Sequence, residues 1–253
     1  MRVLVWFSCG AASAMAAKLA VEEYRHTPIE VWYCDTRKWE HPDNERFLLD
    51  VAKWIGKPIR MGRTSNPDYL DRHGKPDIYR VFKQTGWLVG PKGTRCTVEL
   101  KKSVRHEIER PGDIQIFGFT SEETDRIERF KANNPDIQPD FILARKNVKK
   151  VDCFTALKGA GIELPMMYRM GYRNNNCIGC VKGQSGYWNK IRKDFPNIFK
   201  RMSKVERKMG VAINKRYEGK TRIPVYLDEL PLGAGRYTSE PDIECGVVCA
   251  SES

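Results

Sequence analysis

The sequence contains no apolar run near the roughly 20 residues that a helix needs to cross a bilayer. Its apolar N-terminal stretch, Val3–Phe7, has the length of a strand and lacks the layout of a signal peptide. Internal repeats and low-complexity tracts are missing as well. We therefore expect a cytoplasmic protein with no membrane partner.

Histidine is scarce, with four scattered copies, and the 32 acidic residues are outnumbered by 44 Lys and Arg. The net charge of +12 favours a polyanionic partner, either nucleic acid or a phosphorylated small molecule. An ordinary solvated basic surface gives the same composition, so charge alone leaves the partner open. With 253 residues, 41% of them hydrophobic, the chain is long enough to bury a substantial core.

The first half of the sequence alternates strand-like and helix-like segments. Short apolar β-rich runs predict strands at 3–7, 29–33, 57–61 and 114–119. Ala-rich or amphipathic segments predict helices at 11–24, 44–55, 97–109 and 121–131. This order predicts an α/β fold, a parallel sheet with helices on both faces.

The pattern changes after about Pro165. Residues 171–186 are rich in Gly, Asn and Cys, which predicts a loop, and residues from 231 onward are loop-like too. Between them, 187–210 predicts basic helical segments interrupted at Pro196. We therefore predict an α/β domain at 1–165 and a C-terminal helical, cysteine-rich extension at 166–253.

Residues 186–210 also interleave aromatic side chains with Lys and Arg, which suits single-stranded nucleic acid. An amphipathic helix pair that buries Trp188, Ile191, Phe195 and Phe199 explains the same pattern without a ligand.

The turn between the first predicted strand and helix, residues 8–13, consists only of small residues. Such a turn exposes the free amides at the start of the helix, and small side chains let an anion reach them. Close packing of a helix on a sheet selects small residues too, so both explanations stay open. The turn lacks the Lys of a Walker motif and two of the three glycines of a dinucleotide fingerprint.

The turn resembles the pyrophosphate-binding loop of the PP-loop (HUP-like) superfamily, S-G-G-x-D-S. Ser8, Gly10 and Ser13 match that loop, while Cys9 replaces a glycine and Ala12 replaces the acid. Within the superfamily, the chain is most similar to the phosphoadenylylsulfate (PAPS) reductase-like family. Three further segments carry the resemblance: VWYCDT at 31–36, RCTVELKKSVR at 95–105 and IFGFTSEETDRIERF at 116–130.

This resemblance implies that the chain binds an adenine nucleotide, either PAPS or ATP with Mg. The implied binding residues are Ser8, Cys9, Gly10, Ala11, Ala12, Ser13, Asp35 and Arg126. An ion pair with Glu122 or Glu123 on the same helix is the alternative role for Arg126. Lys101 and Lys102 are candidates to face the same anion. The loss of the acid at Ala12 departs from the ATP-cleaving members of the superfamily.

Three of the eight cysteines stand singly among apolar neighbours, and we expect them to be buried small side chains: Cys9, Cys34 and Cys153. Cys177 and Cys180 form a C-x-x-C in a glycine-bearing loop, a spacing that brings two thiolates to one metal ion or cluster. A redox dithiol is the alternative.

The sequence ECG at 244–246 resembles the E-C-G near the C-terminus of sulfonucleotide reductases, whose cysteine takes up the sulfur. The resemblance thus implies Cys245 as nucleophile and an iron–sulfur (4Fe–4S) cluster on Cys96, Cys177, Cys180 and Cys249. Cluster-bearing family members usually have two adjacent cysteines where this chain has Cys96 alone. From the residues themselves, Cys177, Cys180, Cys245 and Cys249 are an equally good site for zinc or an iron–sulfur cluster.

Three functions follow as hypotheses. The first is reduction of an adenylylated sulfate, with a thiol reductant such as thioredoxin as partner. The second is an ATP-dependent sulfurtransferase that thiolates tRNA or DNA, which the net charge favours. The third is a non-catalytic nucleic-acid-binding protein with structural zinc.

Overall fold

The computed structural model describes residues 1–90 and 93–245. Among these residues, no helix is long and apolar enough to span a membrane. The strands are β1 (Val3–Phe7), β2 (Ile29–Cys34), β3 (Ile59–Gly62), β4 (Ile114–Phe117), β5 (Gln138–Asp140), β6 (Asn214–Glu218) and β7 (Thr221–Val225).

The helices are more numerous and vary from one turn to four. They are α1 (Ala11–Glu23), α2 (Asn44–Ile55), α3 (Ile78–Thr85), α4 (Arg95–Thr97), α5 (Ser103–Ile108), α6 (Thr124–Asn133), α7 (Ile142–Arg145), α8 (Lys150–Gly159), α9 (Met166–Arg169), α10 (Ser185–Asp194) and α11 (Pro196–Met209). A π-helical turn, Val98–Lys102, joins α4 to α5. Single 3-10 turns lie at Arg37–Trp39, Pro67–Tyr69, Leu227–Glu229 and Tyr237–Ser239.

Strands β1 to β5 form one sheet in the order β3-β2-β1-β4-β5, and every pair in it is parallel. The predicted parallel α/β sheet is confirmed. The chain leaves β1 toward β2 and β3 on one side, and later returns to place β4 and β5 on the other. A crevice for ligands is expected where this direction reverses, at the carboxyl ends of β1 and β4.

Helices cover both faces of the sheet, as the central strand shows. Val3, Val5 and Phe7 pack in one buried cluster with side chains of α1, α2 and α8. Leu4 and Trp6 pack in a second cluster with side chains of α5 and α6. Because successive side chains of a strand point to opposite faces, a strand buried on both sides is apolar throughout.

The sequence predicted seven of the thirteen strands and helices β1–β5 and α1–α8 to within a few residues, and β1 and α2 with both ends correct. Helices α3, α7 and α8 were not predicted. The single helix predicted at 97–109 is instead α4, a π-helical turn and α5. Strand β5 was not predicted, because it is three residues long and contains Pro139, which the edge of a sheet tolerates.

In the predicted extension, α10 and α11 meet on either side of Pro196 as expected. Trp188, Ile191 and Phe199 are buried in a third cluster, which also contains Leu88 and Leu100 from the first half of the chain. Phe195 is half-buried and packs against the same cluster. The helix pair therefore contributes to the core, as the amphipathic-pair interpretation predicted.

One buried carboxylate holds both ends of the two-stranded antiparallel sheet, β6–β7. Glu206 on α11 is fully buried and accepts hydrogen bonds from the amides of Ile213 and Leu227, which flank the hairpin. Burial raises the pKa of Glu206 to about 7, with a further increase from Asp228, while the two amides and Arg207 act in the opposite direction. The hairpin is thus fixed at its base by a group that titrates near neutrality.

This arrangement gives a pH-dependent stability. Because the folded-state pKa of Glu206 lies above its ordinary value of 4.5, the native chain binds more protons than the unfolded chain between that value and about 7. The free energy of unfolding should therefore fall as the pH rises through this window, by roughly 2–3 kcal/mol from this group.

Urea unfolding of the wild type and Glu206→Gln between pH 5 and 8 measures this effect. We expect the difference in the free energy of unfolding between the wild type and Glu206→Gln to change with pH. The same comparison with Glu128→Gln, whose exposed side chain pairs with Lys131 at 3.0 Å, should give a nearly constant difference. If the difference in the free energy of unfolding is constant for Glu206→Gln as well, the raised pKa of Glu206 is contradicted.

Candidate functional site

A cavity of about 450 Å³ lies at the carboxyl ends of β1 and β4, where the strand order reverses. The segments that line it include residues 8–13 after β1, 118–120 after β4, 174–176 in the loop before α10, and 242–245 at the end of the described chain. The predicted site residues Ser8, Gly10, Ala12, Ser13, Arg126 and Cys245 line it, whereas the side chains of Cys9, Ala11 and Asp35 do not.

The turn at 8–13 is held by its own serines. The amide of Ser8 donates to Ser13 Oγ at 3.1 Å, and the Ser13 hydroxyl donates to the carbonyl of Gly10 at 2.9 Å. Gly10 is the N-cap of α1 and provides no side-chain cap, while the amide of Ala11 makes only a 3.4 Å contact to the hydroxyl of Tyr168. The start of α1 is thus suited to an anion in the cavity.

Backbone constraints explain two of the small residues around this turn. Cys9 has a φ of +56°, the left-handed region that favours glycine, and glycine is the residue of the resembled loop at this position. A Cβ on Gly118, directly after β4, would lie 2.7 Å from Ser13 Cα and 2.8 Å from Ser13 N. Only glycine therefore lets β4 end against the first turn of α1.

A buried polar network supports the turn from below. Asn175 Nδ2 donates to the carbonyl of Cys9 at 2.7 Å and to Asn44 Oδ1 at 2.8 Å. Asn44 in turn donates to Glu40, whose carboxylate also accepts from the hydroxyl of Tyr33. These interactions fix the Asn175 amide, and its buried Oδ1 has no hydrogen-bond partner within residues 1–90 and 93–245. Since Asn175 lines the cavity, this unpaired oxygen is a candidate acceptor for a ligand.

Sequence reasoning missed Glu40, Asn44 and Asn175. Glu40 and Asn44 follow β2, at the edge of the sheet where α/β proteins place polar site residues, and this position was the available signal.

Two cations reach the cavity from the helices beside it. Arg126 on α6 pairs with Glu123 at 2.6 Å and lies over the ring of Phe119 at 4.1 Å, so it both makes the helical ion pair and lines the cavity. Lys150 at the start of α8 donates to Asn174 at 3.0 Å and lies 3.4 Å from Asp242. Asp35, by contrast, is paired with Arg37 and Arg63.

Cys245 lines the cavity and interacts with three cysteines from other parts of the chain that do not line it, Cys96, Cys177 and Cys180. Cys180 and Cys245 share a hydrogen bond, and both interact electrostatically with Cys96 and Cys177. Lys101, from the π-helical turn, donates to Cys245 Sγ at 3.7 Å. None of the four cysteines, Cys96, Cys177, Cys180 and Cys245, forms a disulfide bond. Cys249 lies outside the described residues.

The four thiols differ in charge. The hydrogen bond from Cys180 lowers the pKa of Cys245 well below its ordinary value, and the charges of Lys101 and Lys182 lower it further against the effect of burial. Burial opposes the charge on Lys101, but the interaction with Cys245, and to a lesser extent with Cys177, outweighs it and raises the pKa of Lys101. Burial raises the pKa of Cys96 to about 11 and that of Cys177 well above its ordinary value. Of the four cysteines, Cys245 alone has a lowered pKa, which favours its thiolate form next to Lys101.

The same thiols are the candidate metal donors. In the part of the chain that the structure describes, no three His, Cys, Asp or Glu side chains are arranged to hold a metal ion. In number and type, however, Cys96, Cys177, Cys180 and Cys245 fit the four thiolates of a zinc or iron–sulfur site. Cys96 and the predicted C-x-x-C interact electrostatically with one another and with Cys245, and their role as metal ligands stays a prediction.

The three cysteines predicted to be buried single side chains are buried: Cys9, Cys34 and Cys153. The cavity itself combines the start of α1 with the Cys245 thiol, three cations and five carboxylates; the charged side chains are those of Lys101, Arg126, Lys150, Glu40, Glu122, Glu123, Asp242 and Glu244. No family model matches the chain, and no curated protein matches it either.

Proposed function

We propose that this chain is an adenine-nucleotide-binding enzyme of sulfur chemistry, similar to the PAPS reductases of the PP-loop superfamily. One observation carries the proposal: the turn at 8–13 and the Cys245 thiol line the same cavity. A phosphorylated ligand held by the turn would therefore present its far end to a thiolate.

Binding follows from the groups in the cavity. The amides at the start of α1 receive the phosphate oxygens, with Lys150 and Arg126 as counter-ions. The unpaired Oδ1 of Asn175 accepts a hydrogen bond from an amino or hydroxyl group of the ligand. The volume of about 450 Å³ is within the range of small-molecule sites.

In the proposed reaction, the Cys245 thiolate attacks the sulfur of an adenylylated sulfate. A sulfur–sulfur bond forms, the bond from that sulfur to the bridging oxygen breaks, and the nucleotide leaves as its phosphate. A dithiol protein of the thioredoxin class then attacks Cys245 Sγ and releases sulfite. Its second thiol resolves the mixed disulfide and regenerates Cys245, so the two electrons come from the dithiol. Lys101 holds the Cys245 thiolate in place by its charge.

A metal centre belongs to the proposal as well. Cys96, Cys177 and Cys180 would hold it, with Cys249 as fourth ligand if Cys245 is the nucleophile. An iron–sulfur cluster bound there would supply electrostatic stabilisation next to the sulfate. Anaerobic purification should yield a brown protein that absorbs near ~400 nm and contains iron and sulfide. Zinc without sulfide would contradict the cluster, and zinc without nucleotide binding would favour the non-catalytic alternative.

Nucleotide binding is tested by calorimetry with PAPS, ATP and GTP. Lys150→Met should weaken the binding of an adenine nucleotide by about tenfold, because a charged contact to a phosphate is lost. Lys158→Met removes the same charge from an exposed position on α8 outside the cavity, and its affinity should equal that of the wild type. Equal losses in the two variants, or no binding at all, would refute the proposed nucleotide site.

A second candidate is ATP-dependent sulfur transfer to nucleic acid. The four exposed cations of the β6–β7 hairpin favour it, because they offer contacts to a polyanion. Pyrophosphate release from ATP that increases with added tRNA or DNA would support this candidate. Sulfite release from PAPS would support the reductase instead.

A further inference from the structure

The β6–β7 hairpin has a composition unlike that of the sheet domain. Between 215 and 222 it contains four cations and a single carboxylate. All of these residues are exposed. Two exposed strands with so little apolar surface gain little from burial, so the hairpin depends on its base at Glu206 for its position.

The register divides the hairpin into two faces. Tyr217 lies directly opposite Arg222, and Lys215 lies opposite Pro224, so these four side chains share one face. The other face includes Val225, which packs against the core of the extension. The first face, which we call the Tyr217 face, therefore points away from the protein body.

The Tyr217 face presents an aromatic ring among unpaired cations. Tyr217 is 60% exposed, more than any other aromatic side chain among the described residues. The ammonium group of Lys215 lies 5.7 Å from the centre of its ring. The one carboxylate, Glu218, pairs with Arg216 at 3.0 Å on the opposite face.

Elsewhere in the extension, some of the basic and aromatic residues already have partners within the protein. Arg207 on α11 pairs with Asp228 and Glu229, and Trp188 is buried. Within residues 1–90 and 93–245, no acidic side chain pairs with Lys215, Lys220 or Arg222. These cations are thus available to an external anion.

We propose that the Tyr217 face, together with Lys220 at the hairpin turn, binds single-stranded nucleic acid. A base stacks on the ring of Tyr217, and phosphates lie against Lys215, Lys220 and Arg222. A single strand is favoured over a duplex because stacking on Tyr217 requires an unpaired base. The hairpin does not line the cavity, so this inference stands independently of the proposed nucleotide site.

Fluorescence anisotropy of labelled oligonucleotides with the full chain tests this inference. The probes are dT20, rU20 and a 20-base-pair duplex. Comparing the affinities for dT20 and rU20 shows whether DNA or RNA is preferred. Tyr217→Ala should weaken binding of the single strands by about tenfold, and Tyr217→Phe, which keeps the ring, should not.

A charge variant tests the cations. The triple variant Lys215→Gln, Lys220→Gln, Arg222→Gln should reduce the slope of log affinity against log salt by about 2. The matched control, Lys57→Gln, Lys83→Gln, Lys158→Gln, removes the same charge from exposed positions elsewhere. Its slope should equal that of the wild type.

Several results would overturn the inference. Equal losses in the hairpin triple and its control would mean that binding depends only on net charge. Duplex binding as tight as single-strand binding, unaffected by Tyr217→Ala, would exclude stacking. Competition by poly-glutamate as strong as by dT20 would indicate an acidic protein as partner. Calorimetry with adenine nucleotides is the control for the cavity. If the hairpin variants bind these nucleotides with the affinity of the wild type, their effects on oligonucleotide binding do not arise in the cavity.

Discussion

Cys245→Ser should abolish sulfite release from PAPS, with a loss of at least about 1,000-fold, as for removal of other enzymatic nucleophiles. A serine hydroxyl is close in size to the thiol but is not ionised near neutral pH and cannot form the sulfur–sulfur bond of the cysteine S-sulfonate intermediate. Binding of the adenine nucleotide should change by less than about threefold, since the turn at 8–13 is untouched. Sulfite assays and calorimetry on the same preparation measure the two quantities.

Cys153→Ser is the control for this substitution. Cys153 is buried in α8, donates to the carbonyl of Lys149 at 3.4 Å and does not line the cavity. A serine there can make the same hydrogen bond, so activity should be retained. Full activity in Cys245→Ser would refute the assigned nucleophile, and loss of folding would appear as a changed circular dichroism spectrum.

Gly118→Ala should have the second large effect. The added methyl group would lie 2.7 Å from the backbone of Ser13, and a backbone neighbour cannot move as a flexible side chain does. We expect a loss of about 1–3 kcal/mol in the free energy of unfolding. Nucleotide affinity should fall by about tenfold or more, because the start of α1 has to move away from β4.

Gly159→Ala provides the matched comparison. A Cβ at Gly159, the last residue of α8, meets no atom within 4 Å. Alanine is favoured over glycine in a helix by roughly 0.5–1 kcal/mol, so this variant should be as stable as the wild type or more stable. Chemical denaturation measures the free energy of unfolding of both variants, and calorimetry measures their nucleotide affinity. Wild-type behaviour of Gly118→Ala would mean that the turn tolerates displacement.

The hairpin illustrates where sequence patterns fail. Strand prediction depends on alternation of apolar and polar residues, and Lys215 to Glu218 have no apolar alternation because neither side of that strand is deeply buried. The available signal was Gly219. It has a φ of +60° and forms, with Lys220, the two-residue turn between β6 and β7. A turn signal without flanking apolar residues is weak, and the hairpin was missed.

The candidate site was recovered in part for an equally physical reason. The turn at 8–13, Arg126, the C-x-x-C and Cys245 were visible because each is a local motif. The supporting network was not visible, since Asn175 and Asn44 are 131 residues apart and Cys245 lies 144 residues from Lys101. The functional roles of all these residues stay predictions, as do those of Asp35 in nucleotide binding and of Cys249 as a metal ligand.

By itself, the sequence determined the parallel α/β class, because strands buried on both faces are apolar throughout and strand–helix alternation leaves few other arrangements. It also predicted which residues carry the candidate chemistry. Only the tertiary structure decided that the turn at 8–13 and the Cys245 thiol line one cavity, and that Cys180 and Lys101 lie where they lower the pKa of Cys245. Proximity between distant segments and the burial of charge depend on packing, which no local pattern encodes.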